Sequence, residues 1–244
     1  VKRVKVTFDT GSVPPVIRQY IEHAAFYDSS CSEQARTLLA EGADRLFLKM
    51  GMRGRLEREY RMTQFLHRHS LAPRPIAYAS DADRDYFLTE AAPGEDGTFG
   101  AYLEQPVKLA GIFGEALRML HSLPTEECPY PGRTSEMIKE QGGGRKIGAG
   151  LVRSLTELAV DDVVIHGDYC LPNIILDNFA FQAFVDTGDG GVGDRHYDLY
   201  WGIWTLAYNL KTDRYGECFL DAYGRSDIDS ERLLYFTRFA ELAD

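Results

Sequence analysis

The chain has 244 residues, 44% of them hydrophobic and 26% charged, which is enough to bury a sizeable core in one large domain or two lobes. No apolar run reaches the roughly 18 to 20 residues of a membrane helix, and the opening "VKRVKVTFDT" lacks the apolar segment of a secretory signal, so no membrane association is expected. The formal net charge is −10, and residues 161–244 carry all of the excess, with 16 acidic and 6 basic side chains. That balance argues against a nucleic-acid partner and favours a small cationic one, although an acidic surface that only aids solubility has the same composition. The four cysteines, Cys31, Cys128, Cys170 and Cys218, are scattered with no C-x-x-C pair, which fits cytoplasmic thiols and neither a disulfide frame nor a zinc site.

In chain order, the first 90 residues read as strands plus one helix. "ARTLLAE" and "GADRLFLKM" form a predicted hairpin about a Gly-Ala-Asp turn, with Lys49 in its second strand. "GRLEREYRMTQFLHRH" follows as a helix, because Glu59, Met62 and Leu66 fall on one face. Two short strands around a polar turn come next, and "AAPGED" (91–96) reads as a connector. From Pro106 an amphipathic stripe of Leu109, Ile112, Phe113, Ala116, Leu117 and Leu120 predicts a long helix. "GGGRKIGAG" (142–150) has no apolar periodicity and reads as a flexible segment or a shortened insertion. The strands "DVVI", "NIILD" and "FQAFVD" frame a loop at "HGDYCLPN" and a turn at Asn178. A glycine-rich loop, "TGDGGVGD", and aromatic-rich helices complete the chain. Strands first and helices later give an α+β fold with two lobes, 1–91 and 92–244, the first an antiparallel sheet and the second mostly helical.

The chemistry is concentrated in Asp168, Asn173 and Asp186: an aspartate on a loop, an asparagine five positions later, and an aspartate at the end of the second following strand. Phosphoryl transfer needs metal ions to offset phosphate charge and a group that orients and deprotonates the attacking hydroxyl. One amide and one carboxylate suit magnesium. The five-residue offset equals that of the protein-kinase pattern H-R-D-x-x-x-x-N, with Gly167 in place of arginine. Asp and Asn are also ordinary turn formers, and Pro172 strengthens that alternative. Lys49 and Glu59 add weight, since a strand lysine paired with a helix glutamate can hold nucleotide phosphates. Each has a plain alternative, an edge-strand lysine and a helix-surface charge. "GDGGVG" matches G-x-G-x-x-G after a strand, but Asp186 and Asp189 would repel a pyrophosphate. No H-E-x-x-H is present, and His67 and His69 point to different helix faces.

These residues, with "FYDSSCSEQA", "LFLKM", "LEREYRMTQFL", "LTEAAPGED", "LRMLHSLP", "HGDYCLPNIILDN" and "FVDTGDGGVGDRHYDL", span nearly the whole chain. The sequence resembles the aminoglycoside phosphotransferase family, of the 3′-hydroxyl type, within the protein-kinase-like fold. The resemblance implies transfer of the γ-phosphate of ATP or GTP, with Mg²⁺, to an aminoglycoside hydroxyl. It implies Asp168 as the base, Asn173 and Asp186 as metal ligands, and Lys49 with its partner Glu59 on the nucleotide phosphates. Ser32 would cover the phosphates, and the backbone around Glu90 and Ala91 would meet the adenine. His166 would orient its loop, and Asp194, Arg195 and Asp198 would brace the metal loop. Asp189, Glu241 and Asp244 are the candidate substrate contacts. Three departures bear on the acceptor: only 35 residues separate Tyr130 from His166, where the family carries a longer insertion; "AEL" stands where the family's C-terminus has a doubly acidic pair; and Asp189 stands where arginine is frequent. A kinase for another hydroxylated or cationic metabolite, such as a choline-like amino alcohol or a sugar, is therefore the first alternative. A nucleotide-binding pseudoenzyme is the second.

Overall fold

The computed structural model describes residues 4–31, 35–142 and 149–243. The chain divides into two compact units, Val1–Ala92 and Pro93–Asp244, each with its own hydrophobic cluster.

In the first unit, Val4–Val6 (β1), Ala25–Asp28 (β2), Ala35–Glu41 (β3), Arg45–Met52 (β4), Pro75–Ser80 (β5) and Arg84–Glu90 (β6) form one antiparallel sheet in the order β1-β2-β3-β4-β6-β5. β4 shows why: Leu46, Leu48 and Met50 alternate into the core, and Phe47 and Lys49 share the other face. The turn between β3 and β4 is closed by Gly42 N–H donating to Asp44 O (3.0 Å). Glu57–Arg68 (α2) follows β4 and buries Glu59, Met62 and Leu66 as its period requires. A second helix, Pro15–Ile21 (α1), departs from the strands-plus-one-helix reading. Pro15 starts it, and Ile17 and Ile21, one turn apart, are both buried in the core.

In the second unit, Glu95–Asp96 (β7), Gly100–Leu103 (α3) and Pro106–His121 (α4) are followed by Arg133–Gly142 (α5) and Ala149–Leu158 (α6). Residues 143–148 of the glycine-rich run lie outside the described residues. Val163–Ile165 (β8), Ile174–Asp177 (β9), Ala180–Phe184 (β10) and Gly191–Gly193 (β11) precede the helices Arg195–Leu210 (α7), Gly216–Tyr223 (α8) and Ser230–Ala243 (α9). β9 pairs with β10 and, on its other edge, with β7, so the 91–96 connector carries a short strand. β11, drawn from the predicted glycine-rich loop, pairs antiparallel with β8. α4 packs on α8 and α7 and presents Leu109, Phe113, Ala116, Leu117 and Leu120 to the core. The fold is α+β, with the six-stranded sheet in the first unit and most of the helices in the second.

Candidate active site

In the first unit, Lys49 lies on β4, third of four interior strands and flanked by β3 and β6, which excludes the edge-strand reading. Its Nζ donates to Glu59 Oε2 (2.8 Å), and the two side chains are 20% and 10% exposed. Glu57, one turn-face away on α2, pairs instead with Arg61 in solvent (2.7 Å). A largely buried ion pair of this kind leaves an ammonium held in a defined place, which is what a phosphate clamp requires. At the end of β6, Glu90 N–H donates to Arg74 O and Ala91 N–H to Arg45 O (2.9 Å each), so neither is a ready donor for a base edge. The Glu90 carboxylate pairs with Arg74, whose hydrogen bond holds it below the usual carboxylate range. Ser32 lies outside the described residues.

In the second unit, β8 delivers the chain into the loop at His166, Gly167 and Asp168. Asn173 Nδ2 donates to Asp168 Oδ2 (2.8 Å) and to Asp168 O (2.9 Å). Cys170 Sγ–H donates to the other carboxylate oxygen (3.4 Å), and burial pushes this thiol up, so it stays protonated as a donor. With its nitrogen committed to Asp168, Asn173 keeps its amide oxygen, a hard ligand, outside that contact. Val185 N–H donates to Asn173 O (3.0 Å), which ties the strand end before Asp186 to the asparagine. The His166 ring accepts from Asp168 N–H at Nδ1 (3.3 Å), so Nε2 carries the proton and donates to Val185 O (3.0 Å). One imidazole thus links the loop of Asp168 to the strand of Asp186. Asp186 itself is exposed and left-handed (φ 54, ψ 46), a conformation that costs a non-glycine residue of order 1 kcal/mol or more and clusters at functional sites.

The loop is seated by a buried chain of groups that sequence spacing does not reveal. Asp198 on α7, fully buried, accepts His166 N–H at Oδ2 (2.6 Å) and Gly167 N–H at Oδ1 (2.9 Å). His121 Nε2 donates to the same Oδ2 (3.3 Å), Tyr223 O–H donates to His121 Nδ1 (2.9 Å), and Arg195 donates to Tyr223 Oη (3.3 Å). Burial pushes the His121 pKa down, more than Asp198 raises it, which keeps the ring neutral and able to accept. Asp198 therefore braces the loop of His166, Gly167 and Asp168. Asp194 caps α7 and serves α9: it accepts His196 N–H (3.0 Å) and pairs with Arg232 (2.6 Å). Tyr169 stacks on Phe113 of α4 (4.3 Å between centroids) and donates its hydroxyl proton to Phe113 O (2.6 Å), anchoring the loop from below.

The substrate candidates are dispersed. Asp189, exposed, pairs with Arg133 (3.2 Å). Glu241 lines a shallow cavity of about 390 Å³ with Leu151, Ser154, Tyr235 and Arg238. Asp244 lies outside the described residues.

Residues 29–234 match the family described as "Phosphotransferase enzyme family". The chain belongs to the phosphotransferase enzyme family. This phosphotransferase is 37% identical over 238 residues to a probable aminoglycoside 3′-phosphotransferase of Lactococcus lactis, covering 90% of this chain and 91% of that one. It is 28% identical over 189 residues to an aminoglycoside 3′-phosphotransferase of Niallia circulans, covering 69% and 71%. Among solved structures it resembles an aminoglycoside phosphotransferase of Streptomyces rimosus in complex with ADP and streptomycin, with a TM-score of 0.71 at 19% identity over 98% and 100% of the two chains. A 3′-phosphotransferase of type VIII superposes with a TM-score of 0.70 at 22% identity over 98% and 93%. The phosphotransferase therefore shares the fold of these kinases. Among its described residues no helix is long and apolar enough to cross a membrane.

Proposed function

We propose that this phosphotransferase moves the γ-phosphate of ATP or GTP to a hydroxyl of an aminoglycoside, the 3′-hydroxyl first. The observation that carries the reading is the Asp168 carboxylate, held at one oxygen by Asn173 and at the other by the Cys170 thiol, on a loop whose backbone is fixed by Asp198. A carboxylate oriented in this way accepts the proton of an attacking hydroxyl. Lys49, paired with Glu59, is assigned the nucleotide phosphates, with Ser32 over them and the strand end at Glu90 and Ala91 toward the base. Because both N–H groups there are engaged, a hydrogen bond donated to the adenine comes from a neighbouring backbone N–H or requires one of those bonds to open.

Mg²⁺ fits the residues present. The Asn173 amide oxygen and the Asp186 carboxylate are hard oxygen ligands. Among the described residues no group of three or more His, Cys, Asp or Glu could hold a metal. Asn173 and Asp186 would hold the ion, with phosphate oxygens and water supplying its other ligands. When bound, the ion would offset charge on the transferring phosphate.

The acidic excess in residues 161–244 suits a polycationic acceptor. The relatives' names supply the aminoglycoside, and the cytoplasm is where nucleoside triphosphates are found. The short stretch between Tyr130 and His166, and Arg238 beside Glu241, favour the second reading, a smaller or less cationic alcohol such as an amino alcohol or sugar. A phosphorylation assay across kanamycin, neomycin, choline and simple sugars separates them. ATP-dependent phosphate on an aminoglycoside is expected. Robust turnover of choline or a sugar, with none of any aminoglycoside, overturns the first reading.

A further inference from the structure

Arg133, at the first position of α5, is a buried arginine: its side chain is 6% exposed, and it serves a backbone carbonyl as well as carboxylates. Its Nε donates to Asp189 O (2.9 Å) and Nη2 to Asp189 Oδ1 (3.2 Å). Its Nη1 reaches Glu140 (3.0 Å) and Glu136 (3.4 Å). The same short stretch grips the following strand twice more. Tyr130 O accepts Val192 N–H (2.8 Å), and Thr134 Oγ1 accepts Asp194 N–H (2.8 Å). Residues 130–134 thus hold the backbone of 189–194 at three points.

The carbonyl held by Arg133 is also the wall against which Gly167 sits. A Cβ on Gly167 would stand 2.0 Å from Asp189 O, and the residue is at φ +81, so only glycine fits against that carbonyl. Gly167 lies between His166 and Asp168, and Asp189 closes the helical turn that begins after Asp186. The guanidinium therefore meets a backbone atom at which the base loop and the turn after Asp186 touch. A planar fork can fix that carbonyl and the Asp189 carboxylate together, whereas an ammonium is a point charge and cannot.

We infer that Arg133 is a positioning residue for phosphoryl transfer: by fixing the Asp189 carbonyl it seats Gly167, and so sets the Asp168 carboxylate relative to the Asp186 turn. The inference rests on the roles proposed above for Asp168 and Asp186. A displacement on the scale of 1 Å at the reacting groups costs about 10²-fold in rate, and loss of a group supporting a metal ligand costs about 10- to 100-fold in metal affinity.

The test compares Arg133→Met and Arg133→Lys with wild type, assayed well below their melting temperatures. It measures kcat and KM for nucleotide, and Mn²⁺ binding in the presence of a non-hydrolysable ATP analogue by electron paramagnetic resonance. The expected result is kcat lower by about 10²-fold in the methionine variant and less in the lysine variant. Nucleotide KM stays within about twofold, since Lys49 and Glu59 are untouched, and Mn²⁺ affinity falls about tenfold. An arginine that merely staples α5 would lower the melting temperature and leave kcat and Mn²⁺ affinity alone, and that result overturns the inference. Should the methionine variant not fold, the lysine variant decides by the same measures. Absence of any transfer by wild type would defeat the functional reading instead, and the Mn²⁺ measurement would still decide the role of Arg133.

Discussion

The Lys49 and Glu59 contact joins two residues with ordinary separate explanations into one ion pair. A lysine on an interior strand and a glutamate on the inward face of the next helix meet at 2.8 Å, largely out of solvent. Removing the carboxylate leaves an ammonium with less reason to hold its place. In Glu59→Gln, kcat/KM for nucleotide should fall about tenfold, the ~1.5 kcal/mol expected of a hydrogen bond to a charged group, with acceptor KM unchanged. Steady-state kinetics with each substrate varied in turn checks this, and unchanged nucleotide kinetics would remove the pair from the site. Lys49, Glu59, Asp168, Asn173 and Asp186 could be singled out in the sequence because their residue types and local spacing carry the chemistry. His121, Tyr223 and Arg133 could not. Their partners stand 77, 102 and 56 positions away, and a buried histidine, tyrosine or arginine has no local pattern that announces its partner.

At the scale of elements, the hydrophobic period made α2, α4 and the hairpin of β3 and β4 readable, since each buries a regular face. β7 and β11 were not readable. One is two residues long, and the other is Gly-Val-Gly, whose strand character comes only from pairing with β8. α1 did carry a signal, a proline start with Ile17 and Ile21 one turn apart, in a stretch otherwise dominated by strands. The start of α7 shows how an element end sets pH behaviour. Burial works to raise the Asp194 carboxyl, but hydrogen bonds from His196, Val160 and Arg232 outweigh it and hold the group below the usual carboxylate range. The unfolded chain therefore takes up this proton first. The stabilisation is complete above the ordinary carboxylate pKa near 4 and is lost as pH falls through the depressed native value. Asp194→Asn should cost about 3 kcal/mol at pH 7, the scale for breaking a buried ion pair. The gap between variant and wild type should close as the pH drops below about 4. Urea unfolding across pH measures it. A gap that stays constant with pH would contradict this account of α7.

For the whole molecule, charge favours a cationic partner over a nucleic acid, and the local chemistry carries the proposed reaction. The acidic excess sits in the part of the chain that carries Asp168, Asn173 and Asp186, and an acidic surface of this kind concentrates cations. The same balance would serve solubility, so charge alone does not name the acceptor. The account stands on Asp168 acting as the base in phosphoryl transfer. The most direct test is the single-turnover rate of γ-phosphate transfer from ATP to kanamycin by Asp168→Ala, with nucleotide bound to saturation. The account predicts nucleotide affinity like that of wild type and transfer slower by about 10²- to 10⁴-fold. Transfer at the wild-type rate would contradict it.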